Sequence, residues 1–270
     1  MNRFAAPALR LFGFALLPLA LLIGGCASTN DDKMANWSVS KLYGEAKDEL
    51  GAGAYDKAVT LFEKLEGRAA GTTLAQQAQL EKAYAHYRAG EQAQAIAVLD
   101  RFMKQHPASP ALDYALYMKG VVNFNDNLGL FAFLARQDLS ERDQKAARDS
   151  FEAFKELTER FPDSRYAPDG RQRMTYIVNS LAQYEVHVAR YYYSRGAYVA
   201  AVARAQSALA EYRGVAASEE ALYILVKSYE ALGLTQLQTD AQRVLLATYP
   251  KTEFLSRGFR RVEDPWWKIW

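Results

Sequence analysis

Small and apolar residues recur along the chain at a spacing that predicts paired helices with a period of 37 residues. In the segment 53–65 (GAYDKAVTLFEKL), a glycine is followed by Ala58, Phe62 and Leu65, which lie on one face of a helix. The same order of glycine and helix-spaced small or apolar residues returns at four further places, once without the glycine. The equivalent positions are Gly90, Ala95, Leu99 and Phe102; Ser150, Phe154 and Leu157; Gly196, Ala201, Ala205 and Ala208; and Gly233 and Leu245.

This pattern is typical of tetratricopeptide (TPR) hairpins, in which A-x3-F lies on the second helix. Glycine ends the first helix, and Pro107, Pro162 and Pro250 stand where second helices should end. We therefore predict an all-α chain folded as a TPR-like α-solenoid of about five helical hairpins. An irregular alanine-rich helical bundle is the alternative. Gln238 and Gln242 replace the expected apolar residues of the last unit, as befits a terminal repeat that faces water.

Two departures from the period predict where the solenoid is irregular. About 18 extra residues lie in the third hairpin, within 123–143, and they include the apolar run 128–134. This run is either tucked against the solenoid or offered to a partner. A second group of extra residues follows Pro168, and proline is suited to the first turn of a helix. These extra residues predict that the first helix of repeat four is about four turns longer than its neighbours.

The N-terminus has the layout of an export signal, with basic residues, an apolar run and small residues up to position 25. Residues 23–26 (IGGC) resemble the bacterial lipobox. This resemblance implies cleavage before Cys26, with a diacylglycerol on its sulfur and an acyl chain on its new amine. Ala27, in place of Asp, implies the periplasmic face of the outer membrane. The alternative is a secreted protein with an incidental thiol at Cys26.

The composition and the motifs of the chain limit the classes of function that the protein can have. Cleavage of residues 1–25 would remove two of the 33 basic residues, so the mature chain would have as many basic as acidic residues, 31 of each. The absence of an excess of positive charge argues against a nucleic-acid partner. Cys26 is the one cysteine, so disulfides are excluded. We find no H-E-x-x-H, phosphate-binding loop or G-x-S-x-G motif. The sequence therefore predicts a binding protein and not an enzyme, with no cofactor and no metal.

The segments that follow the signal divide into a tether, two groups of repeats and a tail. Residues 26–36 are small and polar and read as a lipidated tether. Residues 37–162 contain repeats one to three, and residues 163–258 contain repeats four and five. The tail, 259–270, carries three of the four tryptophans. It suits a packed cap, a partner anchor or an interfacial contact.

Three stretches carry a more specific resemblance: 113–120 (DYALYMKG), 160–167 (RFPDSRYA) and 181–200 (LAQYEVHVARYYYSRGAYVA). With the lipobox, they resemble the BamD family of lipoproteins of the outer-membrane β-barrel assembly machinery. The resemblance implies a scaffold and substrate receptor whose N-terminal repeats engage unfolded β-barrel proteins. It also implies that the C-terminal repeats dock on a POTRA domain of the barrel-forming core subunit and on another assembly lipoprotein. A TPR lipoprotein that regulates peptidoglycan synthesis or cell division is the alternative.

Six side chains are candidates for these contacts. Arg195 and Arg204, with Tyr198, lie in an alanine- and tyrosine-rich setting with few acids, and forked guanidinium groups suit a partner's carboxylates. The alternative is that the arginines are ordinary exposed helix residues. Arg195 precedes the helix-ending Gly196, where a cation also suits the C-terminus of a helix. For the substrate groove we select three tyrosines of repeats one and two, each of which could instead belong to the core. They are Tyr55, Tyr84 and Tyr87.

Overall fold

The computed structural model describes residues 34–124 and 144–259. Over these two ranges the chain forms eleven helices and no strand. The first ten helices pair into five hairpins, which confirms the predicted all-α, TPR-like solenoid. The helices are α1 (Val39–Gly51), α2 (Tyr55–Arg68), α3 (Thr73–Arg88), α4 (Gln92–Gln105), α5 (Leu112–Asn123), α6 (Gln144–Arg160), α7 (Ala167–Ser194), α8 (Tyr198–Glu211), α9 (Ala217–Ala231), α10 (Thr235–Thr248) and α11 (Phe254–Arg257).

The repeated glycines lie in the turns between the two helices of a hairpin. Gly53 and Gly90 both have φ of 80°, Gly196 has 74° and Gly233 has 69°. This left-handed conformation is costly for residues with a Cβ atom, and glycine adopts it freely. The third hairpin, whose unit lacks the glycine, is the one that carries the extra residues.

The predicted repeat positions form the core. Ala58, Phe62 and Leu65 of α2 are fully buried, and so are Ala46 of α1 and Ala83 of α3. The same holds for the small and apolar frame residues of the later hairpins, because each of the first four second helices packs between two first helices and the last, α10, packs against α9. These residues are Ala95, Leu99, Phe102, Ser150, Phe154, Leu157, Ala189, Ala201, Ala205 and Leu245.

Both departures from the period lie where they were predicted. Helix α7 has 28 residues, whereas the other first helices have between 12 and 16, and Pro168 lies in its first turn. Helix α5 ends at Asn123 and α6 begins at Gln144, so the extra residues separate the two helices of the third hairpin. The run 128–134 itself lies outside the described residues, as do Cys26 and most of the tether.

The chain after α10 turns back onto the first helices of hairpins four and five. The rings of Phe254 and Phe259 lie 5.3 and 5.0 Å from the ring of Tyr223 in α9. Phe259 also lies 5.3 Å from Tyr193 at the end of α7. We call residues 254–259 the C-terminal strap, because they bridge α7 and α9.

Candidate functional site

The first helices of hairpins one and two share a polar surface. Gln77 of α3 donates a 2.7 Å hydrogen bond to the hydroxyl of Tyr43 in α1. One turn further along, Lys47 of α1 donates to Glu81 of α3 at 2.9 Å. Both bonds join α1 to α3, so they hold the first helices of the two neighbouring hairpins in register.

The three candidate tyrosines lie beside this surface, near the turns of the first two hairpins. The guanidinium carbon of Arg88 is 5.4 Å from the ring centre of Tyr55 and 5.7 Å from that of Tyr84. Arg88 also donates a 2.9 Å hydrogen bond to the Tyr84 hydroxyl, and the Tyr87 ring lies 6.4 Å from that of Tyr84. We call Tyr55, Tyr84, Tyr87 and Arg88 the tyrosine cluster.

Each tyrosine of this cluster is half-buried. Tyr84 and Tyr87 rest against the apolar core of the second hairpin while the rest of each ring remains accessible. Tyr84 and Tyr87 therefore belong partly to the core and partly to the surface, since a tyrosine ring can pack on one side and present its hydroxyl on the other. Their role in a substrate groove stays a prediction. Sequence reasoning missed Arg88, although its position four residues after Tyr84 on the same helix was a signal.

Two of the three stretches that carry the family resemblance meet in space. Ser164 donates a 2.6 Å hydrogen bond to Asp113, and the ring of Tyr166 stacks on that of Tyr117 at 4.7 Å. Tyr114 lies 5.5 Å from Tyr166. These contacts extend the aromatic surface from α5 to the start of α7. Burial, followed by the carboxylate of Glu81, raises the pKa of Tyr114 to about 12.

The third stretch forms the turn between α7 and α8. Arg195 follows the last residue of α7 and is exposed, and its guanidinium carbon lies 5.3 Å from the ring centre of Tyr191. Tyr198 begins α8, and its ring packs against Tyr193 at 5.6 Å. The neighbouring Val199 is 71% exposed. The turn therefore presents a cation, aromatic rings and an apolar side chain together.

Arg204 lies on the flank of this turn and already has an acidic partner within the chain. It donates a 3.1 Å hydrogen bond to Glu185 of α7, whose side chain is 6% exposed. An acid thus lies beside Arg204, although its setting in the sequence contains few. Glu185 precedes it by 19 residues, and packing of α7 against α8 brings the two together. The guanidinium remains 46% exposed, so part of it is accessible to a partner.

Two classes of feature are absent from the described ranges. No helix among residues 34–124 and 144–259 combines the length and apolar character needed to cross a membrane. In the same part of the chain, no group of three or more His, Cys, Asp and Glu side chains could hold a metal ion.

Comparison with known proteins identifies the family. The sequence profile of the YfiO family, described as "Outer membrane lipoprotein", matches residues 35–245. An "Outer membrane protein assembly factor BamD" from Neisseria meningitidis serogroup A is 44% identical over 257 residues, which cover 93% of this chain and 96% of that protein. The chain belongs to the BamD family.

Other BamD proteins match along a similar length. The BamD of Neisseria meningitidis serogroup B is 45% identical, again over 93% of this chain and 96% of that protein. The BamD of Haemophilus influenzae is 32% identical over 95% of each chain. The family profile ends at residue 245, before the C-terminal strap and the tryptophan-rich tail.

Proposed function

We propose that this BamD-family chain is a lipid-anchored scaffold and receptor that takes part in inserting β-barrel proteins into the outer membrane. The observation that carries the proposal is the similarity to BamD assembly factors, which extends over 93% of the chain. The names of these relatives refer to outer membrane protein assembly, so they favour this function over the regulation of peptidoglycan synthesis or cell division. In this proposal the chain binds and positions other proteins and performs no reaction.

The tyrosine cluster is the proposed contact for unfolded β-barrel proteins. Its half-buried rings offer apolar faces to the side chains of an extended chain, while the phenol hydroxyls and Arg88 offer hydrogen-bonding groups to its backbone. Such contacts depend little on sequence. That property suits a receptor that must accept many different substrates.

The turn between α7 and α8 is the proposed docking surface for the POTRA domain of the barrel-forming subunit and for another assembly lipoprotein. Arg195 and the exposed part of Arg204 present two cations near the apolar Val199. Guanidinium groups bind carboxylates through paired hydrogen bonds, so an acidic patch on the partner would be complementary. Tyr198 supplies an aromatic anchor beside them.

We further propose that the diacylglycerol and acyl chain on Cys26 hold the solenoid at the periplasmic face of the outer membrane. Arg68 of α2 donates hydrogen bonds to the carbonyl oxygens of Met34 and Trp37, so the chain at Met34 is held against the first hairpin. The segment between Cys26 and Met34 would span about 28 Å when extended. The first hairpin would therefore lie close to the bilayer.

Photo-crosslinking in living cells tests the proposal. A photoreactive amino acid at Val199 should trap the barrel-forming subunit, and one at the exposed Ala89, beside Arg88, should trap newly exported outer-membrane proteins. A matched probe at Arg243, an exposed position on α10, should trap neither. Capture of a peptidoglycan synthase in place of the barrel-forming subunit would contradict the proposed function.

A further inference from the structure

The C-terminal strap lies against the end of α7, next to the turn that carries the proposed docking residues. The ring centre of Phe259 is 5.3 Å from that of Tyr193 and 5.0 Å from that of Tyr223. Phe254, at the other end of the strap, is buried and stacks on Tyr223 at 5.3 Å. The strap is therefore held at both of its ends against the apolar core of the last two hairpins.

Tyr193 connects the strap to the docking turn. Its ring lies 5.6 Å from the ring of Tyr198, the first residue of α8. Its backbone carbonyl oxygen accepts a 3.0 Å hydrogen bond from the N–H of Gly196, inside the turn. Tyr193 thus contacts the strap and the turn at once, so a change in the packing of its ring is transmitted to Tyr198 and to the turn.

The turn between α7 and α8 is itself exposed. Residues 195–197 are all accessible to solvent, and their backbone N–H groups donate to carbonyl oxygens of residues 191–193 over 3.0 to 3.2 Å. A segment with exposed hydrogen bonds and few buried apolar contacts opens easily. Tyr193 and Tyr198, which flank this turn, supply the side-chain packing that keeps it closed.

The strap is not needed to join α7 to α9. Arg190 of α7 donates a 2.5 Å hydrogen bond to Glu220 of α9, and Val186 of α7 is buried in the same apolar core as Ile224 of α9. Loss of the Phe259 ring should therefore leave the hairpins folded and act at the end of α7.

Gly258 allows Phe259 to reach its place. It follows the short helix α11 with φ of 75°, and its N–H donates a 2.9 Å hydrogen bond to the carbonyl oxygen of Phe254. Residues with a Cβ atom adopt this conformation at a cost. A Cβ atom added at Gly258 would lie 3.8 Å from the Tyr223 hydroxyl, which is an ordinary contact, so a substitution there acts through the backbone.

We propose that Phe259 is a positioning residue for the docking surface, and that through Tyr193 it fixes Tyr198 and the turn that presents Arg195. A partner then meets a turn that is already ordered, which reduces the entropy lost on binding. The effect on docking rests on the proposed function, whereas the order of the turn can be measured in the protein without any partner.

Hydrogen exchange in the full-length protein tests the order of the turn. Phe259→Ala should make the amides of Gly196 and Ala197 exchange about fivefold faster, because an aromatic pair stabilises the packed state by a factor of about this size. Phe259→Tyr keeps a ring at this position and should retain the parent rate. Leu255→Ala is the matched control, since Leu255 lies on the same strap and is 39% exposed, and it should also leave the rate unchanged.

Photo-crosslinking from Val199 tests the effect on docking. Phe259→Ala and Gly258→Ala should each reduce capture of the barrel-forming subunit about threefold, while Leu255→Ala should not reduce it. Adding Phe259→Ala to Tyr193→Ala should cause no further loss, because Phe259 acts through Tyr193. Circular dichroism of each variant should show the helix content of the parent.

Several outcomes would overturn the inference. Unchanged exchange at residues 196 and 197 in both Phe259→Ala and Gly258→Ala would do so, even if the parent captures the barrel-forming subunit. Faster exchange with undiminished capture would remove Phe259 from docking, and equal effects of Leu255→Ala and Phe259→Ala would remove the specific role of the ring. A parent protein that fails to capture the barrel-forming subunit would contradict the proposed function, while faster exchange in Phe259→Ala would still support its hold on the turn.

Discussion

Gly120 of α5 lies directly against Phe154 of α6: a Cβ atom added at Gly120 would be 2.5 Å from the Cε1 atom of Phe154. Phe154 is fully buried, and Ser150, one turn earlier, donates a 2.8 Å hydrogen bond to the Gly120 carbonyl oxygen. Two side chains of α6 therefore contact the backbone of α5 at this point. That contact explains why the small-residue position of this unit is a glycine.

Gly120→Ala should destabilise the protein by about 2 kcal/mol, because Phe154 has no free space into which it can move. Gly44→Ala in α1 is the control. No atom lies within 4 Å of a Cβ atom added there, so the higher helix propensity of alanine should stabilise the protein by up to about 1 kcal/mol. Urea denaturation followed by circular dichroism measures both. A Gly120→Ala variant as stable as the parent would refute the close contact.

A buried ion pair joins the first two hairpins. Lys82 of α3, whose side chain is 4% exposed, donates a 2.8 Å hydrogen bond to Glu66 of α2. Burial works to raise the pKa of Glu66, but hydrogen bonds from Lys82 and Gln79 outweigh it, and the net effect is a pKa below the ordinary 4.5. A lowered carboxyl pKa contributes stability above pH 4.5 that is lost as the pH falls through the lowered value.

Glu66→Ala should cost about 3 kcal/mol at pH 7, because Lys82 loses its close partner in a buried site. The difference from the parent should shrink as the pH is lowered below 4.5. Glu63→Ala is the control, since Glu63 is 59% exposed and lies 3.6 Å from the same ammonium group, and it should cost less than about 1 kcal/mol. Equal losses for the two variants would contradict a dominant Lys82–Glu66 pair.

Tyr114 should make the stability of the protein fall at alkaline pH. Its pKa of about 12 lies above the ordinary 10, because burial, and then the carboxylate of Glu81, disfavour the phenolate. The stabilising contribution is complete below pH 10 and is lost as the pH rises through 12. Tyr114→Phe should therefore flatten the decline in unfolding free energy between pH 10 and 12. Tyr191→Phe, at a 55% exposed position, should leave that decline unchanged.

Substitutions of Arg204 and Arg195 should distinguish a structural role from a role in docking. Arg204→Ala leaves the buried Glu185 carboxylate without this hydrogen bond, so it should cost about 1–3 kcal/mol and also reduce capture of the barrel-forming subunit. Arg195→Ala should change stability by less than about 0.5 kcal/mol while reducing capture, because its side chain is exposed. Thermal unfolding and crosslinking from Val199 give the two readouts. Undiminished capture by both variants would remove these arginines from the docking surface.

Cys26→Ser should abolish labelling with palmitate and release the protein from the membrane, because no lipid would remain to hold it. Ala27→Asp should retain the lipidated protein in the inner membrane if residue 27 directs its sorting. Ser28→Ala is the control for changes next to the cleavage site and should leave the protein in the outer membrane. An unchanged location of Ala27→Asp would count against the sorting rule.

The hairpins were predictable because their signals are local and repeated. Gly53, Gly90, Gly196 and Gly233 each end a helix through a backbone conformation that glycine adopts freely, and this requirement is visible in any single repeat. The extra length of α7 was predictable for the same reason, since it shifts the period by a countable number of residues. The position of the third-hairpin insertion followed from the same count.

The contacts of the candidate site were harder to predict. The sequence placed Arg204 among few acids, yet Glu185 lies beside it because α7 packs against α8. Nothing in the sequence singles out Lys82, yet it is buried beside Glu66. Arg88 was not among the candidates from the sequence, yet its guanidinium carbon lies 5.4 Å from the ring centre of Tyr55 and 5.7 Å from that of Tyr84. Each case depends on the rotation of one helix relative to another.

The sequence by itself determined the class of fold, the number of hairpins, the ends of most helices and the family of the protein. These depend on the spacing of residues along one helix and on motifs that are continuous in the chain. Only the tertiary structure decided which charged side chains are buried in pairs and how much of each tyrosine ring remains accessible. Those properties arise where helices distant in sequence meet, because burial depends on what the neighbouring helix covers.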